Sequence, residues 1–176
     1  QIYTDIYDDS EWLIGVVENL LSITRLNDGR LKFKFTDQLL DEVIAESLRH
    51  ISRKHDDYKI VADCEELVLV RMDVRLIIQV LVNLIDNAIK YSRENCKIDI
   101  SVKSFNDKSV KVSISDNGIG IEEGKLHRIF DKFYQCEESH KKSGSGLGLS
   151  ISKRIVELLN GTIECKSKKD SGTTFE

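Results

Sequence analysis

Apolar and polar positions follow two different periods along this chain of 176 residues. A period close to that of a helix predicts helices at 9–27, 37–54, 73–92 and 147–159 and a short helix near 122–131. Strict alternation, typical of half-buried strands, occurs at 31–36, 58–63, 67–70, 97–105, 109–116, 161–167 and 172–176. Strands clustered with helices predict an α/β (α+β) two-layer sandwich, with a mixed sheet, helices packed on one face and one long N-terminal helix in front.

Two segments stand apart from that sandwich. The helix predicted at 9–27 has one wide apolar face, which includes Trp12 and Leu20, and a helix this apolar requires a helical partner. The stretch 134–146 is polar and has little to bury, so we expect it to form a mobile lid.

The composition narrows the class of protein. Hydrophobic residues make up 40% and charged residues 32% of the chain, as in a soluble domain, and no apolar run reaches the ~20 residues of a membrane span. A net charge of −4 without a basic stripe argues against nucleic acid as a partner. The cysteines form no Cys-x-x-Cys pair, which favours incidental thiols in a reduced cytoplasmic protein over a disulfide or zinc framework. They are Cys64, Cys96, Cys136 and Cys165.

The helix predicted at 73–92 carries a polar ridge opposite its apolar face. Asn83 and Asn87 lie one turn apart on this ridge, and Lys90 follows almost one turn later. The two carboxamides can offer oxygen ligands to a hydrated Mg²⁺, and the ammonium group can bind phosphate. The alternative is a solvated polar face without a ligand.

A second candidate site is SDNGIGI (115–121), which directly follows a predicted strand. Asp116 at the strand end could accept a hydrogen bond from a ligand amino group such as adenine N6. Gly118 and Gly120 would let the backbone approach a flat ring closely. The alternative is an ordinary surface turn, because Asp-Asn-Gly is common turn chemistry.

The third candidate is GSGLGLSISK (144–153), which is neither a Walker P-loop nor a Rossmann fingerprint. Its glycines remove side chains where phosphates could lie, and the helix beginning near Leu147 would present free N–H groups to them. Just before it, HRIFDKFYQ (127–135) contains Phe130 and Phe133, which either anchor a lid to the core or are plain core aromatics.

The order and spacing of these motifs resemble the N, G1, F and G2 boxes of sensor histidine kinases over residues 31–176. The resemblance implies the ATP-binding sandwich shared with gyrase, MutL and Hsp90-type ATPases, with ATP and Mg²⁺ as ligands. It assigns Asn83 and Asn87 to the metal and the phosphates, and GTTF (172–175) to a closing strand near the adenine. The positions it assigns to ATP are Asn83, Asn87, Lys90, Tyr91, Asp116, Gly118, Gly120, Ile121, Phe130, Phe133, Gly144, Gly146, Leu147, Gly148, Leu149, Thr173 and Thr174.

One position separates kinases from ATP-hydrolysing relatives. Those relatives carry a glutamate four residues before the magnesium asparagine, and here Asn83 stands there. A carboxamide cannot act as a general base, so phosphoryl transfer is favoured over hydrolysis. Three segments are most similar in sequence to the potassium- and turgor-responsive kinases of the Kdp type: ENLLSITR, DVRLIIQVLVNLIDNAIKYS and RIFDKFYQ.

The resemblance also implies a division of the chain. Residues 1–30 resemble the C-terminal helix of a dimerisation and phosphoacceptor domain, here truncated, and 31–176 resemble the ATP-binding catalytic domain. The acceptor motif is a histidine followed by an acidic residue and then proline. Of the four histidines, His55 is followed by Asp56, but the chain contains no proline.

We therefore expect the acceptor histidine on a missing upstream segment, no catalytic residue of its own in this chain, and little turnover by the chain alone. The full protein is expected to form a homodimer and to pass its phosphoryl group to the receiver domain of a response regulator. The chain itself would be a cytoplasmic domain, joined to the cell membrane only through upstream segments.

One residue departs from the pattern of these kinases and leaves other functions open. Many kinases of this type carry arginine where Gln135 stands, so Lys132, Lys141 or Lys142 would have to replace that cation. The alternative is a nucleotide-sensing or degenerate module that binds ATP without phosphotransfer. A serine kinase of the anti-sigma type shares the fold but normally keeps the glutamate that Asn83 replaces.

Overall fold

The computed structural model describes residues 32–52, 59–64, 67–92, 97–106, 109–136 and 145–176, together with five positions nearer the N-terminus. Those five, which are all helical, are Ser10, Val17, Asn19, Leu21 and Thr24. The rest of the helix predicted at 9–27 lies outside the described residues. So do Gly144, most of the predicted lid, and the predicted candidates His55, Cys96, His140, Lys141 and Lys142.

The elements follow the predicted order. The strands are β1 (Thr36–Leu39), β2 (Lys59–Cys64), β3 (Leu69–Met72), β4 (Lys97–Asn106), β5 (Ser109–Asp116), β6 (Cys165–Lys168) and β7 (Gly172–Phe175). The helices are α1 (Leu40–Ser52), α2 (Val74–Lys90) and α3 (Gly148–Leu158), with a 3₁₀ turn at Glu123–Arg128. No helix in the described part of the chain combines the length and apolar character needed to cross a bilayer.

Five strands form a mixed sheet in the order β2-β4-β5-β7-β6. The β2–β4 pair is parallel, and the pairs β4–β5, β5–β7 and β6–β7 are antiparallel. β1 and β3 form a separate antiparallel pair. The mixed sheet predicted from the alternating segments is confirmed.

The helices cover one face of this sheet. α2 packs between α1 and α3 and contacts β4 and β5. Ile98, Ile100 and Val102 of β4 are buried, whereas the intervening Asp99, Ser101 and Lys103 are partly or fully exposed. This alternation is what one covered and one solvated face requires, and each buried aliphatic side chain contributes about 1.5–3 kcal/mol relative to exposure. The two-layer sandwich is therefore confirmed.

The strand predicted at 31–36 is wrong for most of its length. Residues 32–35 have no regular structure, and β1 begins at Thr36. The backbone N–H of Lys34 donates to a carboxylate oxygen of Asp73 at 2.8 Å, so a side chain takes the place of a strand partner. The helix predicted from residue 37 starts later, at Leu40, because Asp37–Leu39 pair with Leu69–Arg71.

Asp73 stands immediately before α2 and is only 1% exposed. Its carboxylate accepts from the Lys34 backbone and, at 2.9 Å, from the guanidinium group of Arg75. Burial alone would raise the pKa of Asp73, but these hydrogen bonds outweigh it and hold the pKa below its usual value. The side chain therefore ties the chain that enters the sandwich to the start of α2.

Candidate functional site

The polar ridge of α2 faces the start of α3. Asn83 and Asn87 are both half-buried, while the apolar face opposite them is buried. The side-chain amide of Asn83 donates to the carbonyl oxygen of Gly148 at 3.3 Å and lies 3.4 Å from the hydroxyl of Ser152. Because its nitrogen points to α3, a metal contact by Asn83 would use the carboxamide oxygen.

Lys90 ends the ridge in a partly apolar environment. Burial lowers the pKa of Lys90, and the nearby carboxylate of Asp86 opposes that effect. The ammonium nitrogen lies 5.2 Å from the ring centroid of Tyr91. A cation held at this end of α2 is suited to binding phosphate oxygens.

Asp116, the last residue of β5, lies on the helix-covered face of the sheet, since it pairs with buried Ile98. Its carboxylate accepts the backbone N–H of Gly118 at 2.8 Å and that of Thr173. Burial raises the pKa of Asp116, and these two hydrogen bonds partly offset the effect. The carboxylate of Asp116 is therefore a half-buried hydrogen-bond acceptor whose orientation is fixed.

The glycines after Asp116 are required by close contacts within the protein itself, whereas their approach to a ligand ring stays a prediction. A Cβ on Gly118 would lie 2.4 Å from the carbonyl oxygen of Tyr91, which accepts the N–H of Ile119 at 3.1 Å. Gly120 has a φ of +65°, and a Cβ there would lie 2.0 Å from the carbonyl oxygen of Lys168. Close approach to the end of α2 and to the β6–β7 turn, within the protein itself, excludes side chains at both positions.

The strand register separates the two candidate threonines. Thr173 pairs with Asp116, and Thr174 pairs with Ser115, whose hydroxyl oxygen lies 2.9 Å from that of Thr174. Successive strand residues point to opposite faces. Thr173 therefore shares the face of Asp116, and Thr174 lies on the other side of the sheet, away from the other candidates.

The two phenylalanines before the predicted lid behave differently. The ring of Phe130 packs edge-on against Phe175 of the core, with centroids 6.4 Å apart. The ring of Phe133 is 66% exposed, so the expectation that both rings anchor a lid in the core is wrong for Phe133. Its backbone N–H instead donates to the carbonyl oxygen of Gly146 at 2.9 Å and closes the base of the segment between them.

The glycines at the start of α3, where phosphates were predicted to lie, differ in their surroundings. Leu147 is fully buried, and Leu149 is half-buried. A Cβ on Gly148 would meet nothing closer than Asn83 Cγ at 3.7 Å. Gly146, by contrast, has a φ of +68°, and a Cβ there would lie 2.8 Å from the carbonyl carbon of Phe133. Gly146 is thus required by the loop itself, whereas a Cβ on Gly148 would make only ordinary van der Waals contact with Asn83.

Sequence reasoning missed three residues that line or support this region. Ser152 contacts Asn83, and Ser145 receives hydrogen bonds from the N–H of Leu147 at 3.4 Å and from the side chain of Asn19 at 3.3 Å. Ser167 of β6 accepts the N–H of Ile121 at 2.8 Å. Serines in a polar loop or an alternating strand give no local signal of such long-range contacts.

Cys165 also approaches this region. Burial, and then the negative charge of Asp116, raise the pKa of the Cys165 thiol to about 12. The thiol therefore stays protonated near neutral pH and adds no charge to the site.

The described residues contain no cluster of three or more His, Cys, Asp or Glu side chains able to hold a metal ion. A divalent cation at the α2 ridge would thus be held by the carboxamide oxygens of Asn83 and Asn87 together with oxygens of a ligand. Mg²⁺ bound through few protein ligands and substrate phosphates is the usual arrangement, and the donors on the ridge fit it.

Comparison with known proteins identifies the class. Residues 72–176 match the family of histidine kinase-, DNA gyrase B- and HSP90-like ATPases, and the chain belongs to this family. It is 40% identical over its full length to the sensor protein KdpD of Clostridium acetobutylicum. Over 93% of its length it is 34% identical to the histidine-protein kinase ArlS of Staphylococcus aureus. The chain spans 20% and 37% of these two relatives.

Solved structures give the same class. The histidine kinase AdeS of Acinetobacter baumannii superposes with a TM-score of 0.80 at 26% identity, over 98% of this chain and 81% of that one. The catalytic domain of the histidine kinase ThkA gives 0.68 at 31% identity, over 81% of this chain and 95% of that one. The resemblance to sensor histidine kinases, and to the Kdp type among them, is confirmed, and membership of an ATPase family supports ATP as the ligand.

Proposed function

We propose that this chain is the ATP-binding catalytic part of a sensor histidine kinase, which positions Mg²⁺–ATP for transfer of the γ-phosphoryl group to a histidine outside this sequence. One observation carries the proposal. α2 is hydrogen-bonded through Asn83 to the first residue of α3 and through the Tyr91 carbonyl to the loop that follows Asp116. The three motifs are thereby held along a single helix, as one cleft for a nucleotide would require.

Each end of the cleft suits a different part of ATP. At the base end, Asp116 and Thr173 offer acceptors for the adenine amino group, with Gly118, Gly120 and Ile121 forming the adjoining loop. Lys90, at the end of the α2 ridge, supplies a cation for phosphate oxygens, and at the phosphate end the start of α3 supplies backbone N–H groups. The remaining candidates for phosphate or lid contacts are Tyr91, Phe130, Phe133, Gly144, Gly146, Leu147, Gly148 and Leu149.

Asn83 and Asn87 are the proposed holders of Mg²⁺, which when bound neutralises charge on the phosphates. The nature of Asn83 favours transfer over hydrolysis. Its side-chain N–H donates to the carbonyl oxygen of Gly148, and a carboxamide has no basic group that could remove a proton from water. ATP would then be kept intact until an acceptor arrives.

The wider context is proposed from the relatives. Residues 1–30 would be the last helix of a dimerisation and phosphoacceptor domain, and 31–176 the catalytic domain. The whole protein would form a homodimer, pass its phosphoryl group to the receiver domain of a response regulator, and be held in the cell membrane by other segments. A cytoplasmic position of this chain follows from that arrangement.

Transfer can be tested directly. The 176-residue chain is mixed with a separately produced helical domain that carries the acceptor histidine, together with Mg²⁺ and γ-labelled ATP. We expect acid-labile label on the acceptor domain, and none when Asn87→Ala replaces the unaltered chain. ATP binding without any label would contradict kinase activity and favour the nucleotide-sensing alternative, to which the neutral Gln135 points. Acid-stable label would instead indicate a serine kinase.

A further inference from the structure

The hydroxyl group of Ser167 has a complete set of partners. Its oxygen lies 2.8 Å from the carbonyl oxygen of Gly172, 2.8 Å from the backbone nitrogen of Ile121, and 3.0 Å from the hydroxyl oxygen of Thr173. A hydroxyl group has one hydrogen to donate and two lone pairs that accept. These three contacts therefore use its full capacity.

The chemistry of two partners fixes the direction of the third hydrogen bond. A carbonyl oxygen can only accept, so the hydrogen of Ser167 points to Gly172. The N–H of Ile121 can only donate, so it occupies one lone pair of Ser167. The second lone pair then receives the hydroxyl hydrogen of Thr173, because the Ser167 hydrogen is already engaged.

This direction determines what Thr173 offers to the cleft. Its only hydroxyl hydrogen is turned towards Ser167, so towards Asp116 and the cleft its oxygen can act only as an acceptor. The carboxylate of Asp116 is itself an acceptor, held by the N–H groups of Gly118 and Thr173. The base end of the cleft therefore presents acceptors from both side chains.

We propose that Ser167 is a specificity-determining positioning residue, which fixes the proton of Thr173 so that the site selects a 6-amino purine over a 6-oxo purine. The inference rests on the proposed binding of ATP. A 6-amino group donates to these acceptors, whereas a 6-oxo group would meet oxygen with oxygen and leave buried acceptors unpaired.

The test compares ATP with inosine triphosphate, which carries oxygen in place of the 6-amino group. Both dissociation constants are measured by titration calorimetry with Mg²⁺ for the unaltered chain and for Ser167→Ala. Without Ser167, the Thr173 hydroxyl can rotate and donate to a 6-oxo group. We expect the preference for ATP to fall roughly tenfold, the scale of one net hydrogen bond.

Ser115→Ala is the matched control. Ser115 and Thr174 form the same kind of cross-strand hydroxyl pair, at 2.9 Å, on the opposite face of the sheet. We expect this variant to keep the ratio of ATP to inosine triphosphate affinity. Ser167→Thr, which retains a hydroxyl group, should also keep most of the preference. A loss of preference in Ser115→Ala equal to that in Ser167→Ala would overturn the inference.

A second arm works even if Ser167→Ala does not fold. Thr173→Val removes the hydroxyl group through which Ser167 acts, so it should lower the preference by a similar factor. If Ser167→Ala does fold, adding it to Thr173→Val should cause no further change in the ratio. An unchanged ratio in Thr173→Val would overturn the inference.

The same measurements separate this inference from the proposed function. If the unaltered chain binds neither nucleotide, the proposed ATP site fails, and this inference fails with it. If the unaltered chain binds ATP and both Ser167→Ala and Thr173→Val keep its preference, the ATP site stands and the role of Ser167 alone is refuted.

Discussion

The side-chain amide of Asn83 donates to the carbonyl oxygen of Gly148 across 3.3 Å and so joins the middle of α2 to the first residue of α3. The two residues lie 65 positions apart in the sequence and belong to different motifs. The contact places the ridge proposed to hold Mg²⁺ beside the loop proposed to bind the phosphates, and it gives Asn83 a structural role in addition to any ligand contact.

The first prediction concerns this contact. Asn83→Asp replaces a donor with a carboxylate oxygen that faces the Gly148 carbonyl. We expect the free energy of unfolding to fall by about 1–3 kcal/mol in urea titrations at pH 7, because a half-buried hydrogen bond is replaced by repulsion. The control is Asp86→Asn, which makes the reverse exchange at an exposed position of the same helix and should change stability by less than about 0.5 kcal/mol. Equal effects would refute the importance of the contact.

The second prediction concerns the metal. Asn87→Ala removes one carboxamide oxygen from the ridge and leaves a good helix former in α2. We expect ATP affinity in the presence of Mg²⁺ to fall to the level seen in the presence of a chelator, as measured by calorimetry. Asp86→Ala, which removes a neighbouring exposed side chain, should keep the magnesium effect. Unchanged magnesium-dependent affinity in Asn87→Ala would contradict the assignment.

The third prediction uses two glycines two residues apart. Gly148 lies in the first turn of α3, where an added Cβ would make only ordinary van der Waals contact with Asn83, so Gly148→Ala should maintain the stability of the protein without ligand or raise it by up to about 1 kcal/mol. If phosphates lie beside Gly148, the same variant should lose ATP affinity. Binding and thermal melting are measured on one preparation, and a variant that binds ATP normally would place the phosphates elsewhere.

Gly146→Ala is the counterpart of that variant. With a φ of +68° and Phe133 within 2.8 Å of the added carbon, it should lower the melting temperature in the absence of any nucleotide. The pair therefore separates a glycine needed by a ligand from one needed by the loop. Equal melting temperatures for the two variants would contradict this distinction.

The fourth prediction concerns Asp116 and pH. Burial raises the pKa of Asp116 in the folded protein above its value in the unfolded chain, so the folded state carries a cost when the group is ionised. That cost is present above the raised pKa and disappears as the pH falls below about 3.9, the ordinary aspartate value. Asp116→Asn should thus be at least as stable as the unaltered chain at pH 7, and its relative gain should shrink at lower pH.

The same substitution should weaken ATP binding and its preference over GTP, by about 1–3 kcal/mol for a lost charge-assisted hydrogen bond. Unfolding is measured at pH 7 and just below pH 3.9, the ordinary aspartate value, and binding is measured at pH 7. Asp99→Asn, on the solvated face beside Lys97, should show neither the gain in stability nor the loss of binding. A variant of Asp116 that loses stability most at pH 7 would refute the argument.

Sequence patterns predicted the order of the elements because the sheet and α2 are each buried on one side, which imposes a period on the chain. They failed at 31–36, where alternation around Phe33 and Phe35 imitates a strand. The backbone there is bound by Asp73, 39 positions away, and no local pattern reveals that partner. The rings of Phe33 and Phe35 instead lie 5.8 Å apart and partly exposed.

The candidate site was predictable in its residue types but less so in its geometry. Thr173 and Thr174 are equivalent in sequence, and only the pairing of β7 with β5 places Thr173 beside Asp116. Phe133 looks like a core residue in the sequence, yet its φ is 64° and its ring is exposed. Its backbone N–H donates to the carbonyl oxygen of Gly146. Both outcomes depend on contacts between distant segments, which spacing along the chain does not encode.

The buried carboxylate of Asp73 has one more consequence. It accepts the backbone N–H of Lys34, just before β1, and it stands at the start of α2, whose other end contacts the loop proposed to bind adenine. The segment before β1 is therefore hydrogen-bonded directly to the residue that precedes α2. A displacement of the chain at Lys34 would therefore act directly on the start of α2, the helix that carries Asn83 and Asn87.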